Sequence, residues 1–252
     1  PQFSPDGKEL AFIEDRIRLM VLNLETKKVR QITDGSTWYS TGGGFDYAWS
    51  PDGKWFTLEF TGNKHDPYSD IGLVSAEGGK DIINLTNSGY MSGYPHFALD
   101  GNAILFTTER YGMRAHASWG SLNDAMLVFL NQDAYDKYCL SKEDYELYKE
   151  ANSDRKKVAA KDSSKVKDVV VELKNIEDRI VRLTPNSSNM GSTLISKDGK
   201  TLYYLASTES GRNLWKMDLN KKETKLLHKV DAGWTSLEMD KDCLLYTSPS
   251  PR

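Results

Sequence analysis

An all-β fold built from a repeated four-stranded unit is predicted by three observations. First, a turn with the residues Ser-Pro-Asp-Gly at 50–53 joins two short segments of aromatic and β-forming residues. Second, turns of this kind recur, with aspartates at Asp6, Asp52, Asp100, Asp198 and Asp242. Third, these aspartates are 46, 48, 98 and 44 residues apart. A strand-rich period of about 40 to 50 residues is typical of β-propeller blades. We therefore expect an all-β, partial and open β-propeller of about four four-stranded blades, with one helical and charged insertion.

The blades follow one another along the chain with the same internal order of strands. Their approximate bounds are 1–33, 46–86, 94–184 and 192–228, and a fifth begins with an inner strand at 234–242. Third strands are expected at 17–24, 70–76, 125–129 and 213–219. Three blades close with an alternating segment that ends in Thr33, Thr86 or Thr184, which supports a common register. An open row of blades exposes an apolar face at each end, so self-association into a homo-oligomer is also expected.

The third blade is longer than the others because residues 130–177 are inserted between its third and fourth strands. Ser141 and Asp144 are spaced like a capping box and predict a short helix at 145–151. Residues 152–168 are polar and rich in lysine, which favours a mobile segment. Two interpretations of the insertion remain open at this point, a docking or lid element and a solvated surface loop.

Composition excludes some classes of function. The 33 basic and 36 acidic residues give a net charge of −3, which argues against nucleic acid or an anionic membrane as the main partner. Two cysteines provide no disulfide framework.

Pro1 is not a natural start, so we expect a fragment of a longer protein. Residues 243–252 match the translation of a transposase adapter used in preparing sequencing libraries, and we expect them not to be native.

Catalytic and metal-binding patterns are not apparent. The stretch 89–93 has the wrong spacing for a nucleophile elbow, and a Ser-x-x-Lys spacing at 153–156 falls in the charged insertion, where such spacings arise from composition. The four histidines, His65, His96, His116 and His228, have no paired ligand spacing, which argues against zinc. We therefore predict no catalytic residue, no metal site and no cofactor within these residues.

The Ser-Pro-Asp-Gly-Lys blades resemble TolB-like and tricorn-type propellers, and the chain as a whole resembles the tricorn-like serine peptidases of bacteria, in the C-terminal-processing peptidase family. The segments that carry the closer resemblance are 17–24, 81–90, 109–120, 133–135, 140–143 and 177–188. The resemblance covers nearly all of residues 3–242. Met113 and Ala115 depart from it, since polar or aromatic residues are expected at those positions.

The resemblance implies a substrate-gating or peptide-binding propeller. In that family, propellers precede a PDZ-like domain and a C-terminal peptidase domain that carries the nucleophilic serine. The implied partners are a peptide or unfolded protein substrate and the chain's own PDZ-like and peptidase domains, without nucleic acid. The implied location is the bacterial periplasm or cell envelope. No catalytic residue can be carried over, because the matching region lies outside these residues. Two alternatives are a TolB-like envelope binding or scaffold propeller and the propeller of a prolyl-oligopeptidase-type hydrolase.

The strand order also predicts which end of the propeller meets substrate. If strands a to d run antiparallel outward from the axis, the a–b turns and c–d loops share one end, here called the turn face. The b–c loops and d–a crossovers share the other, here called the long-loop face. Loops on a rigid scaffold commonly carry function, and aromatic and arginine side chains are frequent in binding sites. The predicted substrate or domain contacts on the long-loop face are Trp38, Tyr39, His65, Tyr68, Tyr90, Arg110, Tyr111, Arg114, His116 and Trp119. A purely structural alternative is that His116 and Trp119 pin a long loop onto its blade.

Overall fold

Four four-stranded antiparallel sheets, each one blade, form the body of the molecule. The computed structural model describes residues 1–38, 43–62, 67–116, 119–152, 167–208, 211–230, 236–240 and 243–247. Within each blade the strands are neighbours in chain order, as a propeller requires. The predicted all-β, partial propeller with four blades is therefore confirmed.

The strands of the first two blades are short. Blade 1 contains β1 (Gln2–Phe3), β2 (Glu9–Glu14), β3 (Arg18–Asn23) and β4 (Val29–Gln31). Blade 2 contains β5 (Tyr47–Trp49), β6 (Trp55–Phe60), β7 (Asp70–Ser75) and β8 (Ile83–Asn84).

Blade 3 carries the additional elements. Its strands are β9 (Ser92–Ala98), β10 (Ala103–Thr108), β13 (Asp124–Phe129) and β14 (Ile180–Arg182). A separate hairpin of β11 (Arg114–His116) and β12 (Trp119–Ser121) lies between β10 and β13, and helices α1 (Gln132–Cys139) and α2 (Lys142–Ala151) follow β13. Blade 4 contains β15 (Asn189–Ile195), β16 (Thr201–Thr208), β17 (Gly211–Asp218) and β18 (Glu223–Lys229), and β19 (Ser236–Asp240) pairs with β20 (Cys243–Thr247).

The Asp-Gly turns have the chemistry that their sequence predicts. Asp52 accepts hydrogen bonds from the hydroxyl of Ser50 at 2.5 Å and from the amide of Lys54 at 3.1 Å. Gly53 takes a φ of +70°, which glycine adopts without steric cost. The corresponding serine–aspartate bonds are 2.7 Å long in blade 1 and 2.6 Å long in blade 4. In these three blades the turn is therefore fixed by local residues.

The threonines that end the outer strands hold those strands to the third strand of each blade. The hydroxyl oxygens of Thr33, Thr86 and Thr184 accept hydrogen bonds from backbone amides at 2.9, 3.1 and 3.2 Å. The donors are Leu19, Ile71 and Ala125. A side-chain acceptor thus satisfies a buried amide close to the point where the backbone pairing stops.

Apolar seams between consecutive blades make up the core. Alternate residues of the central strands point to opposite neighbours, so blades 2 and 3 are buried on both sides. Every residue of β10 and β13 is buried. The seams pair Ala11, Leu19 and Val21 with Phe56, Leu58 and Val74; Ile71 and Leu73 with Ile104, Phe106 and Val128; and Leu105, Leu127 and Phe129 with Leu202, Tyr204 and Met217.

Blade 1 presents a second apolar face away from blade 2. Strand pairing places Phe3 opposite Leu10, Leu10 opposite Leu22, Phe12 opposite Met20 and Leu22 opposite Val29. Phe3 and Val29 are 66% and 52% exposed. None of these residues belongs to a buried cluster among the described residues, whereas Phe56 and Leu58 occupy the equivalent positions of blade 2 and are buried against blade 1.

The insertion begins with two helices where the sequence predicts one. α2 starts at Lys142, with Ser141 as its cap accepting from the amide of Asp144 at 3.1 Å. α1 is not predicted from the sequence. Asn131 caps it by accepting from the amide of Ala134 at 2.9 Å, and the carboxylate of Glu172, 40 residues away, accepts from the amide of Gln132 at 2.9 Å. Tyr135 and Tyr138 place their rings 5.7 and 5.0 Å from that of Phe129. Most of the lysine-rich segment, 153–166, lies outside the described residues.

The end of the insertion returns across the turn face. The amide of Val169 donates to the carboxylate of Asp52 at 2.8 Å, and Lys54 pairs with Asp168 at 2.7 Å. The side chains of Val169 and Val171 pack on the seam between blades 2 and 3. The c–d insertion and an a–b turn therefore meet at the same end, in agreement with the antiparallel strand order.

The segment after blade 4 departs from expectation. Sequence analysis predicts only an inner strand at 234–242, but β19 continues into a hairpin with β20. β20 ends with Tyr246 and Thr247, residue types that are enriched in strands, which favours this pairing whatever the origin of the residues.

Candidate functional site

The long-loop face is held together by hydrogen bonds between successive connections. The amide of Thr61 donates to the carbonyl of Thr37 at 2.8 Å, which joins a b–c loop to the preceding d–a crossover. The amide of Ser92 donates to the carbonyl of Ser69 at 2.9 Å across blades 2 and 3. Within blade 3, the amide of Glu109 donates to the carbonyl of Met91 at 2.9 Å. The loops predicted to share one end of the propeller are thus in direct contact.

Tyr111 makes two cation–π contacts on this face. The residue is 47% exposed, and the guanidinium carbons of Arg182 and Arg110 lie 4.9 and 5.6 Å from the centroid of its ring. Arg182 is itself anchored, since it donates two hydrogen bonds to the buried carboxylate of Asp124. Cation–π contacts of this kind hold an aromatic ring in a defined position. Sequence patterns do not single out Arg182, because its role depends on a partner 58 residues away.

The adjacent hairpin carries the remaining residues of the blade 3 loop. Arg114 pairs with Ser121 across β11 and β12, and His116 pairs with Trp119 through the backbone. Arg114 is exposed, and its charge opposes the rise that burial produces in the pKa of Glu109. The side chains of His116 and Trp119 lie outside the described part of the structure, so their contact or pinning role stays a prediction.

A close backbone approach fixes the start of this loop. A side chain at Gly112 would place its Cβ 1.7 Å from the carbonyl oxygen of Leu122, so only glycine fits. The next residue, Met113, is 79% exposed. An exposed methionine beside Tyr111 adds a deformable apolar contact to the surface.

The other predicted residues are dispersed over the same face. Trp38 donates to the carbonyl of Gly43 at 3.2 Å and packs 5.6 Å from the ring of Phe45, so it contributes to the blade 1–blade 2 core. Tyr68 is partly buried, and Tyr90 is exposed. Tyr39 and His65 lie outside the described residues.

A pair of acidic side chains, which the sequence patterns do not reveal, lies on the same face between blades 2 and 3. Glu59 accepts a hydrogen bond from the amide of Tyr94 at 2.7 Å and a longer one from the amide of Asp46 at 3.4 Å. Burial and the charge of Asp46 raise the pKa of Glu59 to about 7. Burial also raises the pKa of Asp46. A signal was present in the sequence, since Glu59 is a charged residue within the otherwise apolar end of β6.

Together these groups provide aromatic, cationic and acidic contacts without a recognisable reactive centre. No cluster of three or more His, Cys, Asp or Glu side chains in the described ranges is arranged to hold a metal ion. None of the described helices is long and apolar enough to cross a membrane. Groups of these kinds make non-covalent contacts: apolar packing, hydrogen bonds and ion pairs.

Comparisons with known proteins agree with the fold. No protein-family model matches the chain. Over 118 residues it is 30% identical to an uncharacterized peptidase, YuxL, of Bacillus subtilis (strain 168), a match that covers 43% of this chain and 17% of that protein. The structure is similar to that of the tricorn protease, with a TM-score of 0.60 and 13% identity over 90% of this chain and 22% of the protease chain.

Two TolB structures are also similar. A protein assigned as TolB from Agrobacterium tumefaciens has a TM-score of 0.57 and 16% identity, over 92% of this chain and 62% of its own. TolB from Acinetobacter baumannii has a TM-score of 0.53 and 16% identity, over 98% of this chain and 50% of its own. At these identities the likeness shows a propeller fold of the TolB and tricorn type. The chain spans less than two thirds of each of these relatives.

Proposed function

We propose that this chain is the substrate-gating or peptide-binding propeller of a tricorn-like serine peptidase, and that its long-loop face receives extended segments of peptide or unfolded protein. The observation that carries the proposal is that Arg110 and Arg182 both lie over the half-exposed ring of Tyr111, two residues before the exposed Met113. Aromatic and arginine side chains are the residues most enriched at binding hot spots. A tyrosine held by an anchored arginine loses little conformational freedom when a ligand packs on it.

The site offers complementary contacts for a peptide backbone and its side chains. Arg110 and Arg114 are exposed and can donate to peptide carbonyls or carboxylates. Tyr90, Tyr94 and Met113 add exposed apolar surface at the same end of the propeller. Exposed contacts spread along one face suit many sequences in an extended conformation.

Peptide hydrolysis itself is assigned to other parts of the protein. The similarity to the tricorn protease structure and to a relative named as a peptidase supports this assignment. In the proposal, the propeller hands substrate to PDZ-like and serine peptidase domains of the same protein in the periplasm or cell envelope. A TolB-like scaffold is the second candidate, favoured by the match to 62% of one TolB chain.

Peptide capture tests the proposal directly. The binding of a fluorescein-labelled, unstructured peptide containing aromatic and acidic residues is measured by fluorescence anisotropy. Tyr111→Ala and Arg110→Ala should each weaken binding by about tenfold, the loss of about 1.4 kcal/mol of contact free energy. Urea unfolding of each variant shows whether the fold is retained.

Tyr148 provides a matched control. It is also an exposed tyrosine with a cation 5.6 Å from its ring, Lys137, but it lies on α2 in the insertion. Tyr148→Ala should leave peptide affinity unchanged. Equal affinity in wild type and Tyr111→Ala, or equal losses in Tyr111→Ala and Tyr148→Ala, would overturn the proposal. Binding of a folded protein partner without any peptide binding would favour the scaffold candidate.

A further inference from the structure

The turn face has the same backbone arrangement at consecutive blades. In blade 2, the amide of Ala76, which follows β7, donates to the carbonyl of Lys54 at 2.9 Å, and in blade 3 the amide of Leu130 donates in the same way to Asn102 at 2.9 Å. Ala76 and Leu130 therefore occupy equivalent positions. Because the blades repeat one unit, the seam between blades 1 and 2 can be compared with the seam between blades 2 and 3 residue by residue.

A segment of the chain, residues 167–172, crosses the turn face at the seam of blades 2 and 3; it is here called the strap. Val169 and Val171 pack their side chains on this seam. The amide of Glu172 donates to the carbonyl of Leu130 at 2.8 Å. The strap shows how a chain segment is held at this face, by apolar side chains on the seam and by hydrogen bonds to groups that the blades present.

The equivalent place at the seam of blades 1 and 2 is a groove of about 670 Å³. It contains Ala76, the equivalent of Leu130, and within the described ranges no segment of the chain crosses it. Glu9 and Arg30 line the groove from blade 1, and Trp55 is among the residues that line it from blade 2. One seam thus carries a bound segment, and its neighbour offers the corresponding space.

The groove differs from the seam under the strap in its chemistry. Trp55 and Ile83 pack on the strap's seam, whereas Glu9 and Arg30 take the equivalent positions in blade 1 and form an ion pair. The Nη2 atom of Arg30 donates to Glu9 at 2.6 Å, its Nη1 atom donates to the other carboxylate oxygen, and its Nε atom donates to the carbonyl of Ala76 at 2.8 Å. These bonds use three of the five guanidinium N–H groups, and the side chain is 33% exposed, so two donors remain for a ligand.

Cationic side chains also stand at the rim of the groove. Lys54 and Lys80 are exposed, and Lys54 already pairs with Asp168 of the strap at 2.7 Å. Glu77 is exposed at the same rim and opposes their charge. Residues 153–166 carry five basic and two acidic side chains, so their charge does not complement these lysines. The donors that the groove offers therefore suit carboxylates, and the indole ring of Trp55 offers an apolar contact beside them.

We propose that the groove between blades 1 and 2 is a docking site for an extended acidic segment of a partner protein, held in the way that the strap is held at the next seam. Carboxylates of the segment bind the remaining donors of Arg30 and the ammonium group of Lys80, and its apolar side chains pack on Trp55. The site lies at the opposite end of the propeller from the long-loop face, so it does not depend on the proposed function.

Charge reversals at the rim test the site. A fluorescein-labelled peptide that alternates glutamate and valine is titrated with the whole chain, and binding is measured by fluorescence anisotropy. Lys80→Glu should weaken binding by at least about tenfold, and Glu77→Lys should strengthen it several-fold, because the two changes act in opposite directions on the same carboxylates. Lys225→Glu, at an exposed position on β18 of blade 4, makes the same change in net charge away from the groove and should bind like the wild type.

Two further measurements place the peptide on the molecule. The indole N–H resonance of Trp55, assigned with Trp55→Phe, should shift during an NMR titration, and that of Trp215 in blade 4 should not. Tyr111→Ala should bind this peptide like the wild type. No saturable binding, equal losses in Lys80→Glu and Lys225→Glu, or equal binding of a matched peptide that alternates lysine and valine would overturn the proposal. Binding that is lost in Tyr111→Ala and kept in Lys80→Glu would also overturn it and would place the peptide on the long-loop face.

Discussion

The carboxylate of Asp124, fully buried at the start of β13, accepts two hydrogen bonds from the guanidinium of Arg182 on β14, at 3.0 and 2.9 Å. The hydroxyls of Thr184 and Ser187 donate to the same carboxylate at 2.8 and 2.7 Å. The whole insertion lies between these two strands in the sequence. A single buried anion therefore closes blade 3 across a long excursion and also fixes the arginine that supports Tyr111.

Replacing this anion should be destabilising. Asp124→Ala removes the acceptor of Arg182 and of two hydroxyls, and because Arg182 itself is exposed to water, the free energy of unfolding should fall by about 1.5 to 3 kcal/mol. Urea denaturation measures the change. Asp133→Ala, at an exposed position in α1, is the control and should change stability by less than about 0.5 kcal/mol. A loss below about 1 kcal/mol in Asp124→Ala would show that the network does not hold the blade.

Two strand glycines should respond differently to the same substitution. At Gly72 in β7 a Cβ would lie 2.4 Å from the Cγ2 atom of Ile82 and 2.9 Å from the Cδ1 atom of Phe60, so Gly72→Ala should cost about 1 to 3 kcal/mol through overpacking. At Gly191 in β15 the nearest atoms would be 3.7 Å away, and Gly191→Ala should be neutral or slightly stabilising. Thermal unfolding of both variants checks the contrast, and equal melting temperatures would contradict it.

The open apolar face of blade 1 should cause self-association. Phe3 and Val29 are its most exposed members, at opposite edges of the sheet. Phe3→Glu combined with Val29→Lys should weaken association at least tenfold without a large loss of stability, because neither side chain is buried. Sedimentation velocity over a range of concentrations measures this. Leu147→Glu, at an exposed position on α2, is the control and should associate like the wild type. A wild-type chain that stays monomeric at all concentrations would contradict the expectation.

Features set by local chemistry could be predicted from sequence. Asp52 and its neighbours specify their turn through bonds to residues two positions away, so the repeat spacing gives the blades directly. The capping box at Ser141 is local in the same way. The propeller class follows because three of the four blades repeat the Ser–Asp turn.

Features set by contacts distant in sequence could not be predicted. The start of α1 is held by Glu172, whose carboxylate accepts from the amide of Gln132, and the position of Arg182 depends on Asp124. Trp38 has the residue type of a binding contact, but the structure packs it on Phe45. Glu59 lies beside Asp46 within blade 2, but its hydrogen bond from the amide of Tyr94 forms only when blades 2 and 3 meet. Residue type thus led to a prediction of the binding face, which stays a prediction, but it could not tell that Trp38 packs in the core.

The unfolding free energy should depend on pH through Glu59. Its pKa is about 7 in the folded chain and 4.5 as an exposed glutamate, so the folded state keeps a proton that the unfolded chain loses. The free energy of unfolding should therefore fall as the pH rises from about 4.5 to about 7, by about 3 kcal/mol at most. It should stay at the lower value above pH 7. Glu59→Gln removes the charge, so at pH 8 it should be more stable than the wild type by about 1 to 3 kcal/mol, and the two should differ little at pH 4.5. Urea denaturation at both pH values measures the difference, with the exposed Glu25→Gln as the control that should follow the wild type. A Glu59→Gln variant that is less stable than the wild type at pH 8 would contradict this expectation. It would mean that the hydrogen bond from the amide of Tyr94 stabilises the ionised carboxylate by more than burial and the charge of Asp46 destabilise it.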